Sequence, residues 1–144
     1  MAQYPLPKFH FQVDWGGTRI GFSEVQNLSF DVEVIEYREG SLVEHGSIKM
    51  PGRPKFSNII LKRGVVSGDN EFYDWWNSIA LNKVERRDII ISLLNEAHEP
   101  VVVWKVRNAF PVKVTWSDLK ASASEVVIES MEIANEGIVV EHSG

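Results

Sequence analysis

Cysteine is absent from the 144 residues of this chain. That absence excludes a disulfide scaffold, a thiolate nucleophile, a cysteinyl zinc site and an iron–sulfur cluster. Histidine is scarce, with four scattered residues, none of which forms an H-x-x-x-H pair for zinc. No apolar run approaches the roughly 18 residues of a membrane span, so the sequence predicts no insertion of this chain into a membrane.

Sequence motifs of common enzymes are also missing. There is no G-x-G-x-x-G, no P-loop string and no G-x-S-x-G elbow. The sequence therefore gives no support for a phosphate-binding loop or for a serine nucleophile. Two carboxylate pairs stand three residues apart, Glu33 with Glu36 and Glu129 with Glu132. Residues at that spacing on a strand point to opposite faces, which argues against an acid/base dyad. The sequence predicts neither an enzyme nor a cofactor or metal site.

Positive charge is missing from one end of the chain. Residues 121–144 contain five Glu and no Lys or Arg, and they account for the whole net charge of −5. The other 15 of the 20 acidic residues balance the 15 basic ones. A neutral body with an acidic end suits neither duplex DNA nor an anionic membrane surface. Residues 1–10 lack the basic and apolar pattern of a secretory signal, so we expect a protein made in the cytoplasm.

Apolar and polar residues alternate with a period of two over most of the chain, the pattern of half-buried strands. Gly16-Gly17 predicts a hairpin turn between the first two strands. Pro111 cannot donate to a ladder, so it predicts an interruption late in the chain that marks an edge or bulge. The predicted strands cover residues 9–15, 19–25, 29–38, 55–66, 88–94, 101–107, 112–116, 125–134 and 138–140.

One segment has helical spacing. Phe72, Trp75, Trp76 and Ile79 form an apolar stripe, which predicts a helix over about 69–81 with these four side chains packed on the body. A second segment, about 39–54, contains three Gly and two Pro and is predicted to be a long extended loop. The whole chain, 1–144, is therefore predicted to be one mainly β domain, an antiparallel barrel or sandwich with one flanking helix.

Several strings together carry a resemblance that covers nearly the whole chain. They are FQVDWGG (11–17), IEYREG (35–40), KMPGRPKFSNIILKRGV (49–65), GDNEFYDWWN (68–77), RRDIIISLLNEAHEPVVVW (86–104), NAFPVK (108–113) and EVVIESMEIANEG (125–137). Their order and spacing resemble the tail tube proteins of contractile phages, most of all the inner-tube subunits of extracellular contractile injection systems. The related Hcp ring proteins of type VI secretion imply a small Hcp-like β-barrel.

The resemblance implies a structural function. Subunits of that family form hexameric rings that stack into a hollow tube, and sheath contraction drives the tube through a target envelope. The implied partners are further copies of the chain, the sheath protein, baseplate or spike and tube-initiator proteins, a terminal cap, and effector or DNA cargo in the lumen. Assembly in a bacterial cytoplasm, no cofactor and no specific nucleic-acid recognition are implied as well.

Residue roles follow from this resemblance together with the loop and strand patterns. The predicted loop is expected to contact a neighbouring subunit or the next ring, through Glu44, His45, Lys49, Met50, Pro51, Gly52, Arg53, Pro54 and Lys55. Glu33, Glu129 and Glu132 are candidates for the lumen wall.

Charge suggests how copies join. The basic residues Lys49, Arg53, Lys55, Lys62 and Arg63 are predicted to meet the acids after Glu125 across subunits. The acidic segment would then line either the lumen or a stacking face. A monomeric β-barrel that binds a small apolar ligand is the alternative.

Overall fold

A computed structural model describes residues 10–16, 21–38, 40, 48–83, 85–122 and 126–142. The fold is mainly β, with antiparallel pairing throughout and one helix. Its elements in chain order are β1 (Phe11–Asp14), β2 (Glu24–Gln26), β3 (Phe30–Tyr37), β4 (Ile48–Phe56), β5 (Ile59–Gly64), α1 (Glu71–Ala80), β6 (Arg87–Leu94), β7 (Pro100–Trp116), β8 (Ile128–Ala134) and β9 (Gly137–His142). No helix in the described ranges is both long and apolar enough to cross a membrane.

Seven strands form one sheet around β7, which is 17 residues long. The first part of β7 pairs with β6 on one side and with β9 on the other, and its last seven residues, 110–116, pair with β8. Asn108 stands between these parts with φ of 50°. The sheet therefore has two four-stranded halves: half A is β1-β6-β7-β9, and half B is β7-β8-β5-β2.

The two halves share one hydrophobic core. Inward side chains of half A, such as Ile89 and Ile91, belong to the same buried cluster as Leu61, Met131 and Ile133 of half B. All five are no more than 1% exposed. The arrangement is sandwich-like, and the described strands do not close into a barrel.

Helix α1 contributes two large side chains to this core. Phe72 and Trp75 are each 1% exposed, and both rings pack on Trp15, which follows β1. The indole Nε1 of Trp75 donates to the Glu85 carbonyl oxygen at 2.8 Å, so burial leaves this donor satisfied. The other two residues of the predicted stripe lie toward its rim: Ile79 is half-buried and Trp76 is 38% exposed.

One local prediction from the sequence is wrong. β1 and β2 do not form a hairpin, because β1 pairs with β6 and β2 with β5, in different halves of the sheet. The prediction at Pro111 is confirmed in part. The register against β8 shifts between Pro111 and Lys113, as expected of a proline that marks an edge or bulge, but the strand is not divided, because β7 runs through Pro111.

A buried cation joins half B to the helix. Arg63 on β5 is 1% exposed; its Nε donates to Glu129 Oε1 on β8 at 2.6 Å, and its Nη2 donates to Asp69 Oδ1 at 3.0 Å. The guanidinium carbon lies 4.1 Å from the Phe72 ring centre and 5.3 Å from that of Trp15. Two carboxylates and two aromatic faces thus replace much of the water that the cation loses on burial, while its buried Nη1 has no hydrogen-bond partner among the described residues.

Removing one carboxylate leaves the buried guanidinium undercompensated, so Glu129→Gln is expected to lower the free energy of unfolding by about 3 kcal/mol. The matched control is Glu141→Gln, which breaks the exposed Lys105–Glu141 pair and is expected to cost less than about 1 kcal/mol. Urea unfolding of the dilute protein measures both, and equal losses in the two variants would contradict the role given to Arg63.

Candidate interaction surfaces

β3 and β4 form a two-stranded sheet outside the seven-stranded one. At its base the Ser57 amide donates to the Ser29 carbonyl at 3.1 Å, and the two hydroxyl oxygens lie 2.8 Å apart. We call the described residues 30–38 and 48–56 the arm. Every residue of β3 is exposed, and all of β4 is exposed except Gly52 and Phe56.

The arm corrects the prediction of a long loop over 39–54. Residues 48–54, which include Lys49, Met50 and Pro51, lie in β4; residues 48–51 and Pro54 pair with β3, whereas Gly52 and Arg53 do not. Pro51 and Pro54 fit because β4 pairs on one side only, so their missing amide hydrogens break no second ladder. The predicted contact residues Glu44 and His45 lie outside the described residues.

Gly52 lies where the arm changes register. The pairing shifts between Val32 and Val34, and Gly52 and Arg53 stand opposite Glu33 without paired partners. A Cβ added at Gly52 would lie 3.0 Å from the Glu33 carbonyl oxygen and 3.1 Å from the Ile35 Cδ1. Glycine therefore permits a close approach of the two strands that another residue would force apart.

The arm exposes much apolar surface on both sides. Seven large apolar side chains are between 44% and 59% exposed: Phe30, Val32, Val34, Ile35, Tyr37, Ile48 and Met50. Opposite charges face each other in register between them, as Asp31 with Lys55 and Glu36 with Lys49. A hairpin that projects in this way is marginally stable in water, and exposed apolar surface of this extent marks an interaction site.

A second surface is the outward face of half B, which we call the polar face. Strand register places its side chains in two rows across four strands. The rows are Glu24–Lys62–Ser130–Thr115 and Gln26–Ile60–Glu132–Lys113. Lys62 Nζ lies 3.9 Å from Glu24 Oε2. With two acids and two lysines, the face carries no net charge.

The three predicted lumen residues separate in the structure. Glu132 lies on the polar face, where it accepts from Asn58 Nδ2 at 3.4 Å. Glu33 lies on the arm and is exposed. Glu129 is 5% exposed and bound to Arg63, so the prediction that it faces a lumen is wrong. It lies on the inward side of β8, one residue out of phase with Ser130.

The acidic end of the chain forms no single charged surface among its described residues. Glu129 pairs with Arg63, Glu136 with Arg86 at 3.1 Å, and Glu141 with Lys105 at 3.1 Å. These acids are thus neutralised within the subunit. The prediction that Arg63 reaches the acids of another copy is wrong, because it meets Glu129 of its own chain.

Both lateral edges of half B are open within the described residues. β2 pairs only with β5, and residues 110–116 of β7 pair only with β8. Since neighbouring strands in half B alternate in direction, β2 runs opposite to β7. Open edges are templates for pairing with another chain. A β2 edge and a β7 edge from two copies would continue the antiparallel order.

No cluster of three or more His, Asp or Glu side chains within the described parts of the chain is arranged to hold a metal ion. The surfaces that stand out are instead the arm, the polar face and the two open edges. Together they define a β protein built to associate with other chains.

The family model described as "T4-like virus tail tube protein gp19" matches residues 7–139. The chain therefore belongs to this family of tail tube proteins, which confirms the resemblance seen in the sequence. A search of curated proteins gave no match.

Solved structures agree with this assignment. The chain is 36% identical to one in the cryo-EM structure of the anti-feeding prophage cap (AFP tube terminating cap), with a TM-score of 0.90 over 99% of this chain and 95% of that one. It is also 36% identical to a chain of the extended PVC sheath–tube complex, an extracellular contractile injection system, with a TM-score of 0.88 over 98% and 94%. Hcp1 from Flavobacterium johnsoniae shares the fold at 16% identity, with a TM-score of 0.61 over 92% and 95%.

Gly52→Ala is expected to loosen the arm without unfolding the body, because the added Cβ meets the Glu33 backbone at 3.0 Å. Hydrogen exchange should show at least about tenfold faster exchange in β3 and β4, with β5 to β8 unchanged. Gly40→Ala is the matched control, since its Cβ meets no described atom within 4 Å. Unchanged protection in Gly52→Ala would contradict the close approach.

Proposed function

We propose that this chain is the inner-tube subunit of a contractile injection system or phage tail, and that it forms hexameric rings which stack into a hollow tube. The observation that carries the proposal is half B: four antiparallel strands with a polar face and two open edges that can pair with each other. Repetition of one edge contact turns an open sheet into a closed one.

Strand spacing tests whether such a ring encloses a useful channel. Six copies of half B give about 24 strands, which at about 4.8 Å each measure roughly 115 Å around and about 37 Å across between backbones. Side chains and strand tilt adjust this diameter by several ångströms. A channel of that size admits an unfolded chain or a small folded protein, as effector delivery requires.

The polar face is the surface that lines the channel in this arrangement. Its short hydroxyl side chains and balanced charges, Lys62 with Glu24 and Lys113 with Glu132, offer cargo no broad apolar contact and no strong field of one sign. Glu132 is thus the lumen residue among the three predicted acids. The arm, including Lys49 to Lys55, is the part that reaches another subunit.

The remaining partners follow from the assemblies that contain the related chains. AFP and PVC relatives occur in sheath–tube, tube-cap and baseplate structures. We extend those contacts to this chain: a surrounding sheath, a baseplate with spike and initiator, and a terminal cap, assembled in a bacterial cytoplasm. The subunit acts by position and shape, without catalysis. No feature of the described residues favours the alternative of a monomeric ligand-binding barrel.

The edge contact can be trapped covalently, because the chain has no native cysteine. Glu24 and Thr115 stand in one row three strand spacings apart, about 14 Å, so cysteines there are too far apart to join within one subunit. Because closure of a sheet staggers the register between copies, Glu24→Cys is combined in turn with Lys113→Cys or Thr115→Cys on the β7 edge. Oxidation of the pair that comes into register is expected to give a ladder that ends at a closed hexamer on non-reducing gels.

Each single-cysteine variant serves as a control and is expected to stop at the dimer. Electron microscopy of the same samples should show stacked rings with a central channel. If the unmodified protein remains monomeric at every concentration, alone and with a tube initiator, the proposed function is wrong.

A further inference from the structure

A groove beside β7 is a further apolar surface of the subunit. The groove has a volume of about 310 Å³ and lies between α1 and the last part of β7. Its lining residues are Tyr73, Trp76, Val112, Lys113, Val114 and Trp116. Four of them are large apolar side chains that are well exposed: Tyr73 45%, Trp76 38%, Val112 41% and Trp116 51%.

The groove accounts for two features that the core leaves unexplained. Trp76 belongs to the apolar stripe of α1, yet it packs on Tyr73, 6.4 Å between ring centres, instead of entering the core. Trp116 ends β7 with half its surface exposed. Aromatic side chains that stay exposed around a concavity are typical of a protein interface.

We propose that the arm of one copy packs its apolar side chains into this groove on the next copy of the same chain; the proposal rests on the proposed function. The two features lie at opposite edges of half B. The arm begins at Phe30, four residues after the end of β2, and the groove flanks the open edge of β7. When the β2 edge of one copy joins the β7 edge of another, arm and groove meet along the same seam.

The dimensions of the arm fit this placement. β3 has eight residues, about 26 Å at the usual strand rise, which is enough to cross an edge strand and a helix packed about 10 Å from it. The exposed apolar surface of the arm amounts to several hundred square ångströms. A standard interface buries about 800 Å² per partner, so the arm approaches that size. The contact also supplies the cover that a two-stranded sheet needs in water.

The arm and the groove also lie on compatible sides of half B. Phe56, the last residue of the arm, packs against the core cluster, and so does Val114 in the groove. Both surfaces therefore border the inward side of half B; of the groove residues, Lys113 alone also belongs to the polar face. Docking of the arm leaves that face open to the channel.

A photo-crosslinker at Tyr73 tests whether the arm occupies the groove without assuming which arm residue contacts which groove residue. Benzoylphenylalanine at Tyr73, irradiated in assembled rings, is expected to link mainly to peptides from residues 30–38 or 48–56 of another copy, as mapped by mass spectrometry. The same group at Leu119, which is 81% exposed and lies outside the groove, is the control and should give at least tenfold less of these products.

A substitution in the arm gives the second readout. Val34→Asp is expected to lower both the crosslink yield and the fraction of assembled rings at least tenfold, while Leu119→Asp changes neither. Val34 is 59% exposed, so the subunit itself should fold in either variant. Rings that form normally but link from Tyr73 only to other segments overturn this inference and leave the proposed function standing. Absence of rings in the parent protein refutes the proposed function instead.

Discussion

The fold depends on one buried cation. Arg63 joins strands β5 and β8 through Glu129, the entrance of α1 through Asp69, and the end of β1 through the Trp15 ring. Asp69 also accepts the Glu71 amide at 3.1 Å, so the carboxylate that binds the cation fixes the first turn of the helix. Loss of one partner leaves a charge in a dry site, which is costly. The network therefore holds the helix against half B in one position.

That position decides which surfaces stay open. With Arg63 and Glu129 turned inward, alternation along β5 and β8 turns Lys62 and Ser130 outward onto the polar face. On α1, helical spacing places Phe72 and Trp75 on the face that enters the core and leaves Trp76 at the groove. A polar interaction in the core thus fixes the positions of both the polar face and the groove, although it touches neither.

The local sequence pattern predicts most of the strands and the helix. It fails where contacts between distant segments determine the structure. Period-two alternation located most strands, and the helical stripe located α1 to within two residues at its start. The sequence predicts β3 of the arm as the strand 29–38 but not its partner β4, because Pro51, Gly52 and Pro54 resemble a loop. These residues are compatible with a strand because β4 pairs with no second neighbour among the described strands. Glu129 was misplaced because its partner Arg63 is 66 residues away in sequence, and alternation does not tell which face is the core.

The acidic end of the chain shows the same limit of prediction from sequence alone. A net charge of −5 confined to 24 residues suggested one acidic surface, yet three of its five glutamates pair with Arg63, Arg86 and Lys105. Composition adds charges along the chain, whereas the potential that a cargo experiences depends on which charges share a face. The polar face combines acids and lysines from four strands and is neutral. If the polar face lines the tube, transport through the channel should depend little on the charge of the cargo. The apolar contacts between subunits should then hold the tube together while the sheath contracts around it.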